Sequence, residues 1–215
     1  MTETMRLSVE LLSDTTFGRG DGVVGVVDEE VEHDAATGLP IIRGRVLKGL
    51  LVEACADILY ALGSPSKLVE TAQWLFGIGG SDLTSQGHVR IGRAELPEDL
   101  VRYVRHQKEH TPMQILESLT TIRRQTAIDE ARFGAPQEGS LRSSRVVLRN
   151  LVFTAPLHFD QQPQEEHLAL LAACAAGVKR GGSGRNRGRG KLRVQLEGAA
   201  QSHRDLLKAF ERAIR

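Results

Sequence analysis

Four segments alternate apolar with polar residues or form short apolar runs, and both patterns are typical of β-strands. They are 5–14, 87–96, 145–159 and 191–198. In the first segment, Leu7, Val9 and Leu11 share one face. Because side chains in a strand alternate between its two faces, this pattern predicts a strand with one face in the core.

Apolar residues recur at helical spacing in three other segments, 38–63, 165–178 and 202–215. The segment 70–77 predicts a shorter helix or turn, and Gly63 with Ser64 and Pro65 ends the first helix. The predicted order is strand, helix, strand, insertion, strand, helix, strand, helix. We therefore expect an α+β protein with a ferredoxin-like, RNA-recognition-type βαββαβ core and a C-terminal helix.

The segment 106–150 interrupts this order and predicts an insertion into a single domain that spans 1–215. Its central part, 126–141, is rich in turn residues and poor in apolar ones. Connections longer than about 12–15 residues in compact domains are usually functional. We therefore expect this part to project from the core.

Composition supports a folded protein, because 40% of the residues are hydrophobic. Only 4% are aromatic, so the core is expected to consist mostly of Leu, Val, Ile and Ala. The N-terminus does not resemble a signal peptide, and no apolar run reaches the roughly 18–20 residues of a membrane span. Cys55 and Cys174 lie in apolar helical patterns, which favours buried, reduced thiols. A cytoplasmic protein without membrane contact is expected.

Charge is balanced overall but gathered into patches. The chain has 28 Lys and Arg against 27 Asp and Glu, a net charge of +1. Acidic residues collect in 27–34, which we call the acidic loop, and basic residues in 122–124, 140–149 and 179–193. Separate patches of opposite sign indicate that local surfaces govern binding.

The segment 179–193, which we call the glycine-arginine loop, holds seven basic residues, five glycines and no acidic residue. It does not match a nucleotide-binding P-loop, because Leu192 follows Gly190-Lys191 and the predicted order is helix then strand. Two interpretations stay open. One is a solvated loop; the other is a clamp for nucleic-acid phosphates, in which glycine exposes backbone N–H groups and arginine supplies planar donors. Charge density favours the clamp.

Several motifs together resemble one family, the RAMP superfamily of repeat-associated proteins in CRISPR interference complexes. "GGSGRNRGRGKLRV" is similar to its C-terminal glycine-rich signature, and "TGLPIIRGRVLKGLL" to its N-terminal turn and helix. "QWLFG" before "GHVRIGRAEL" is similar to its Phe-Gly element ahead of the second strand. "TAIDEARFGAPQEGSL" resembles the projecting thumb of backbone subunits in type III complexes.

The resemblance implies a function. Such subunits self-associate along a guide RNA, hold its phosphates, and use the thumb to displace one guide–target pair at regular intervals. Their partners would be guide RNA, target RNA, other RAMP subunits and a large effector subunit. In the catalytic type III branch, an Asp between the first strand and first helix cuts target RNA with a divalent metal, expected here to be Mg²⁺.

Asp28 is the residue that the resemblance makes catalytic and metal-binding. RNA supplies its own nucleophile, the 2′-OH, so the protein needs mainly a carboxylate that holds Mg²⁺ near the scissile phosphate. A solvated acidic loop is the alternative interpretation of this segment.

The candidate RNA-binding residues lie at the first helix, in the thumb and in the glycine-arginine loop. They are Arg43, Arg45, Lys48, Arg132, Phe133, Lys179, Arg180, Gly182, Ser183, Arg185, Arg187 and Arg189. Lys48 would sit near a helix start, which favours phosphate. Phe133 would wedge beside a base or pack within the thumb, and Arg132 would meet phosphate.

Four functions compete. The first is a guide-binding backbone subunit that also acts as a metal-dependent endoribonuclease. The second is a paralogue that only binds guide RNA and scaffolds the complex. A guide-processing endonuclease is less favoured because the chain resembles one half of such enzymes. A plain single-stranded RNA-binding module is less favoured because few aromatics are available for stacking.

Overall fold

The computed structural model describes residues 5–23, 26–78, 86–126, 128–129, 135–137 and 139–215. In chain order the elements are β1 (Arg6–Leu11), α1 (Gly44–Ala61), α2 (Ser66–Phe76), β2 (Val89–Ile91), α3 (Glu98–His106), α4 (Pro112–Leu119), β3 (Thr120–Gln125), β4 (Ile128–Asp129), β5 (Ala135–Pro136), β6 (Arg142–Val147), β7 (Val152–Phe159), α5 (Glu165–Gly177), β8 (Leu192–Glu197) and α6 (His203–Ala213).

The core is an antiparallel sheet in the order β2-β7-β1-β8. With α1 after β1 and α5 after β7, these strands form the βαββαβ arrangement in which the first and third strands are central. The predicted α+β class and ferredoxin-like core are confirmed. The C-terminal helix α6 packs on α5.

One face of this sheet forms the core because apolar residues on neighbouring strands meet in register. Leu7, Val9 and Leu11 are all fully buried, as the alternation predicts. Val9 lies opposite Phe153 on β7 and Val194 on β8. Helix α5 lies against this face and also contacts α1, α2 and α6, so its residues from 169 to 175 are buried on every side of the helix.

The N-terminus of α5 carries an aromatic contact that the sequence pattern did not predict. The His167 ring stacks on Trp74 of α2, with ring centroids 3.7 Å apart. Its Nδ1 accepts a hydrogen bond from the backbone N–H of Gln164 at 3.0 Å. Burial holds the pKa of His167 below its usual 6.5, against the opposing effect of Glu166.

The prediction of one strand over 145–159 was wrong. The segment contains the end of β6 and all of β7, which belong to different sheets. The chain turns between them at Asn150, whose φ is +69°. The predicted strand over 87–96 is also shorter, since β2 covers only Val89–Ile91. Apolar spacing predicts continuous strands in both segments because it does not show where a strand stops or where the chain passes to another sheet.

The chain between β2 and β7 holds α3, α4 and a hairpin formed by β3 and β6. Thr111 begins α4 with a capping box, in which its side chain accepts from the N–H of Gln114 and the Gln114 side chain accepts from the N–H of Thr111. Thr15 and Glu29 form bridges with β6, so the hairpin rests on the loops that follow β1. The assignment of 106–150 as a thumb stays a prediction.

The two cysteines are buried free thiols, as predicted. The Cys55 and Cys174 side chains contact each other by a hydrogen bond where α1 packs on α5. Across the described residues, every helix is too short or too polar to cross a membrane.

Candidate nucleic-acid interface

One cleft of about 550 Å³ lies between the acidic loop, the β3–β6 hairpin and the glycine-arginine loop. Its lining residues are Asp28, Glu29, Gln125, Arg142, Ser144, Gly182, Gly184, Arg185, Asn186, Arg187 and Arg189. The tertiary structure therefore joins the predicted catalytic carboxylate and part of the predicted phosphate clamp in one space.

Asp28 is held by a single residue of the hairpin, Ser143. Its Oδ2 accepts hydrogen bonds from the backbone N–H of Ser143 at 2.6 Å and from the Ser143 hydroxyl at 2.9 Å. The N–H of Asp28 donates to the Ser143 carbonyl at 2.9 Å. These hydrogen bonds, the backbone one first, hold the pKa of the exposed Asp28 carboxyl below its usual 3.8, with a smaller contribution from Arg142. Asp28 is therefore ionised at neutral pH.

Glu30 departs from the interpretation of the acidic loop as a solvated segment, because it is only 1% exposed. The buried Arg145 donates from Nε to both Glu30 carboxylate oxygens, at 2.8 and 3.1 Å. Arg145 also donates from a terminal nitrogen to the Thr120 hydroxyl at 3.3 Å. Since Glu30 and Arg145 each lie two residues beyond Asp28 and Ser143, this buried pair anchors the site from below.

Glu32 and Asp34, the last acidic residues of the acidic loop, interact with side chains that do not line the cleft. Glu32 forms an ion pair with Arg43, and Asp34 Oδ1 accepts from the N–H and the hydroxyl of Thr37, each at 3.0 Å. These hydrogen bonds outweigh burial and hold the pKa of Asp34 low.

Within the described part of the chain, no cluster of three or more His, Cys, Asp or Glu side chains is placed to hold a metal. Mg²⁺ usually keeps several waters and binds one or two carboxylates together with substrate phosphate. The single exposed Asp28 carboxylate fits an ion shared with RNA and water. The same residues do not fit a metal held by protein ligands alone.

The predicted RNA-binding residues of α1 lie away from the cleft lining. Arg43 precedes the helix and is engaged by Glu32. Arg45 is exposed and Lys48 is half-buried, both in the first turns of α1. Their contact with RNA stays a prediction, and it would belong to a different surface from Asp28.

The glycine-arginine loop is more firmly built than its glycine content predicts. The N–H groups of Gly181, Ser183 and Gly190 donate to the carbonyls of Gly190, Thr16 and Asp14, at 2.9, 2.8 and 3.1 Å. These amides were candidates for phosphate contact, and the fold uses them instead to fix the loop. These three amides are therefore not available to a phosphate.

Gly182 shows why one of these glycines is required. Its φ is +80°, and a Cβ there would lie 2.4 Å from the carbonyl oxygen of Thr16.

Lys179 and Arg180, at the start of the loop, are exposed. Arg180 donates from a terminal nitrogen to the Arg185 carbonyl at 2.7 Å.

The three central arginines have different surroundings. Arg185 forms two hydrogen bonds of 2.8 Å with the carboxylate of Glu53 on α1, which lower the pKa of Glu53. Arg187 is exposed. Arg189 is largely enclosed, with one terminal nitrogen 3.4 Å from Gln125 Oε1. Of the three, Arg187 and Arg189 are therefore the ones not committed to a carboxylate of the described chain.

Two predicted residues, Arg132 and Phe133, lie outside the described residues. The sequence analysis missed three cleft residues of the hairpin, Gln125, Arg142 and Ser144, and it also missed Ser143, which holds Asp28. A signal existed, since 140–149 was identified as a basic patch. What was lacking was its position beside the acidic loop, more than a hundred residues earlier.

The fold defines the class of protein as a ferredoxin-like α+β domain with an inserted hairpin. It matches a chain in a cryo-EM structure of the Type III-B Cmr-beta bound to cognate target RNA, with a TM-score of 0.64 and 12% identity over 95% of this chain and 98% of that one. It also matches a chain in a structure of the apo state of the Type III-B Cmr-beta, with a TM-score of 0.62 and 12% identity over 91% and 98%. No curated protein matches the sequence.

The sequence profile of the RAMP superfamily matches residues 8–193. This range includes the predicted N-terminal signature, the hairpin and the whole glycine-arginine loop. The chain belongs to the RAMP superfamily.

Proposed function

We propose that this protein is a guide-RNA-binding backbone subunit of a type III CRISPR interference complex and that it cleaves complementary target RNA through Asp28. Family membership and the fold shared with chains of the Type III-B Cmr-beta support the assignment to such a complex. The observation that carries the proposal is the common cleft, where Asp28 faces the glycine-arginine loop.

The partners proposed are guide RNA, target RNA, other RAMP subunits, a large effector subunit and further copies of this chain along the guide. Binding to the guide would be tolerant of sequence, because phosphates carry no base information. The proposed guide contacts are Lys179 and Arg180 at the start of the glycine-arginine loop and Arg45 and Lys48 in the first turns of α1.

The protein's role in cleavage is to hold an ionised carboxylate in a fixed position. Ser143 orients Asp28 and keeps it deprotonated, and the Glu30–Arg145 pair fixes the loop on the hairpin. A divalent metal bound at Asp28 would supply charge stabilisation at the scissile phosphate. The nucleophile is the 2′-OH of the RNA itself.

A second candidate is the scaffold paralogue, which would bind guide RNA without cutting. One observation favours it: among the described residues, Asp28 does not belong to a cluster of three or more side chains that could hold a metal. In that case Asp28 would serve only to dock the acidic loop on Ser143.

The deciding experiment compares Asp28→Asn with Asp99→Asn in the assembled, guide-loaded complex with Mg²⁺. Both changes remove one exposed negative charge and keep a similar shape, and Asp99 lies on α3. We expect Asp28→Asn to abolish regular target cuts while target binding persists, and Asp99→Asn to cut normally. A complex with the unsubstituted subunit that binds guide and target but never cuts would establish the scaffold instead.

A further inference from the structure

Arg189 carries donors that the described protein leaves unused. Its Nε and one terminal nitrogen are buried, and within the described residues neither has a hydrogen-bond partner. A buried donor without an acceptor is unfavourable, and more so when the group is charged. Both groups are charge-assisted donors, and an oxyanion such as a phosphate is the kind of ligand that accepts from them.

The surroundings of Arg189 favour an anionic ligand. Arg142 and Arg187 line the same cleft and are exposed, and neither forms an ion pair with another described residue. A neighbouring cavity of about 700 Å³ shares Gln125, Arg142 and Arg187 with the cleft. The basic wall therefore extends along the hairpin, as a path for an extended polyanion requires.

The same cleft also has acidic lining residues, Asp28 and Glu29. A phosphate bound by the arginines would thus lie in the same space as the carboxylate proposed to cut RNA. In the proposed function the target strand is cut and the guide is not. We therefore assign to the target a phosphate that shares the cleft with the cutting carboxylate.

We infer that Arg189 and Arg142, with Arg187 at the entrance, bind one phosphate of the target strand beside Asp28. This assigns the distal part of the glycine-arginine loop to the target, whereas Lys179 and Arg180 remain with the guide. The inference rests on the proposed function. Arginine donors next to the scissile phosphate also stabilise the charge that develops there during cleavage.

The test neutralises single phosphates and looks for coupling with single arginines. Complexes carrying Asp28→Asn, which do not cut, are assembled on guide RNA and titrated with targets that contain one methylphosphonate each, walked across the expected cut site. We expect one methylphosphonate to weaken target binding about 10-fold, the size of a charge-assisted contact. With Arg142→Ala or Arg189→Ala added, the same methylphosphonate should have a smaller effect, because part of the contact is already lost.

Arg204→Ala is the matched control, because it removes an exposed arginine on α6 that does not line the cleft. It should leave the methylphosphonate effect intact. Arg142 is exposed, so Arg142→Ala should leave the fold intact. It therefore tests the phosphate contact even if Arg189→Ala disturbs the loop.

Two results would overturn the inference while leaving the proposed function standing. One is coupling between these arginines and methylphosphonates in the guide instead of the target. The other is the absence of coupling in either strand while both RNAs still bind. Failure of the complex with an unaltered cleft to bind guide or target would instead refute the proposed function, and the inference with it.

Discussion

Replacing Glu30 by Gln should destabilise the protein strongly, although Glu30 lies in a segment rich in exposed charge. The Glu30 and Arg145 side chains are only 2% and 6% exposed, and their closest contact is 2.8 Å. Glu30→Gln keeps the shape of the side chain and leaves the Arg145 guanidinium buried without a counter-charge. Breaking one partner of a buried pair in this way costs about 3–5 kcal/mol.

The assay is thermal unfolding at neutral pH, with Glu197→Gln as the matched control. Glu197 pairs with Arg6 across β1 and β8, but these side chains are 41% and 50% exposed. An exposed pair contributes about 0–1 kcal/mol. Since 1 kcal/mol shifts the Tm of a chain of this size by about 2–4 °C, Glu30→Gln should lower the Tm by roughly 10 °C. The control should lower it by about 4 °C or less.

A double variant separates lost charge pairing from lost packing. Glu30→Leu with Arg145→Met removes both buried charges, and such replacements are often neutral or stabilising. It should therefore be more stable than Glu30→Gln alone. If Glu30→Gln melts within about 2 °C of Glu197→Gln, the reasoning that a desolvated Arg145 depends on Glu30 is refuted.

Three further predictions follow from single contacts. Ser143→Ala removes one of the hydrogen bonds that lower the pKa of Asp28, so the acidic limb of the pH–rate profile for target cleavage should move to higher pH; an unchanged limb would contradict this. Gly182→Ala should destabilise the fold by well over 1 kcal/mol, because the added Cβ would strike a carbonyl oxygen. Gly188 has the same φ of +80° but open space around it, so Gly188→Ala should cost about 1 kcal/mol. Chemical denaturation measures both changes. Burial lowers the pKa of His167, so this side chain binds a proton more readily in the unfolded chain than in the folded one. The stabilising contribution of neutral His167 is fully present above the usual pKa of 6.5. It should fall as the pH drops below that value, which is measured as a decrease of Tm between about pH 7.5 and 5.5.

The strands and helices of the core follow from local periodicity. Leu7, Val9 and Leu11 alternate in sequence and point into the core in the structure. The same agreement holds for β8 and α6, whose predicted boundaries differ from the observed ones by one or two residues. Periodicity succeeds here because each element buries one face, and the spacing of that face is a property of the segment alone.

The partners of the charged residues do not follow from the sequence. Asp28 contacts Ser143 across 115 positions, and Arg185 contacts Glu53 across 132. In the sequence, Glu30 belongs to an acidic run of the kind that usually lies in water. Its burial depends on the approach of Arg145 from the inserted hairpin.

The sequence by itself determined the core elements, the ferredoxin-like order and the family motifs, because each is recorded in the spacing of neighbouring residues. The tertiary structure alone decided that Asp28 and Arg189 line one cleft and that Glu30 is buried. It also decided that the amides of Gly181, Ser183 and Gly190 are used by the fold. The physical reason is that desolvation and charge pairing depend on which distant segments meet, and residue spacing carries no information about that meeting.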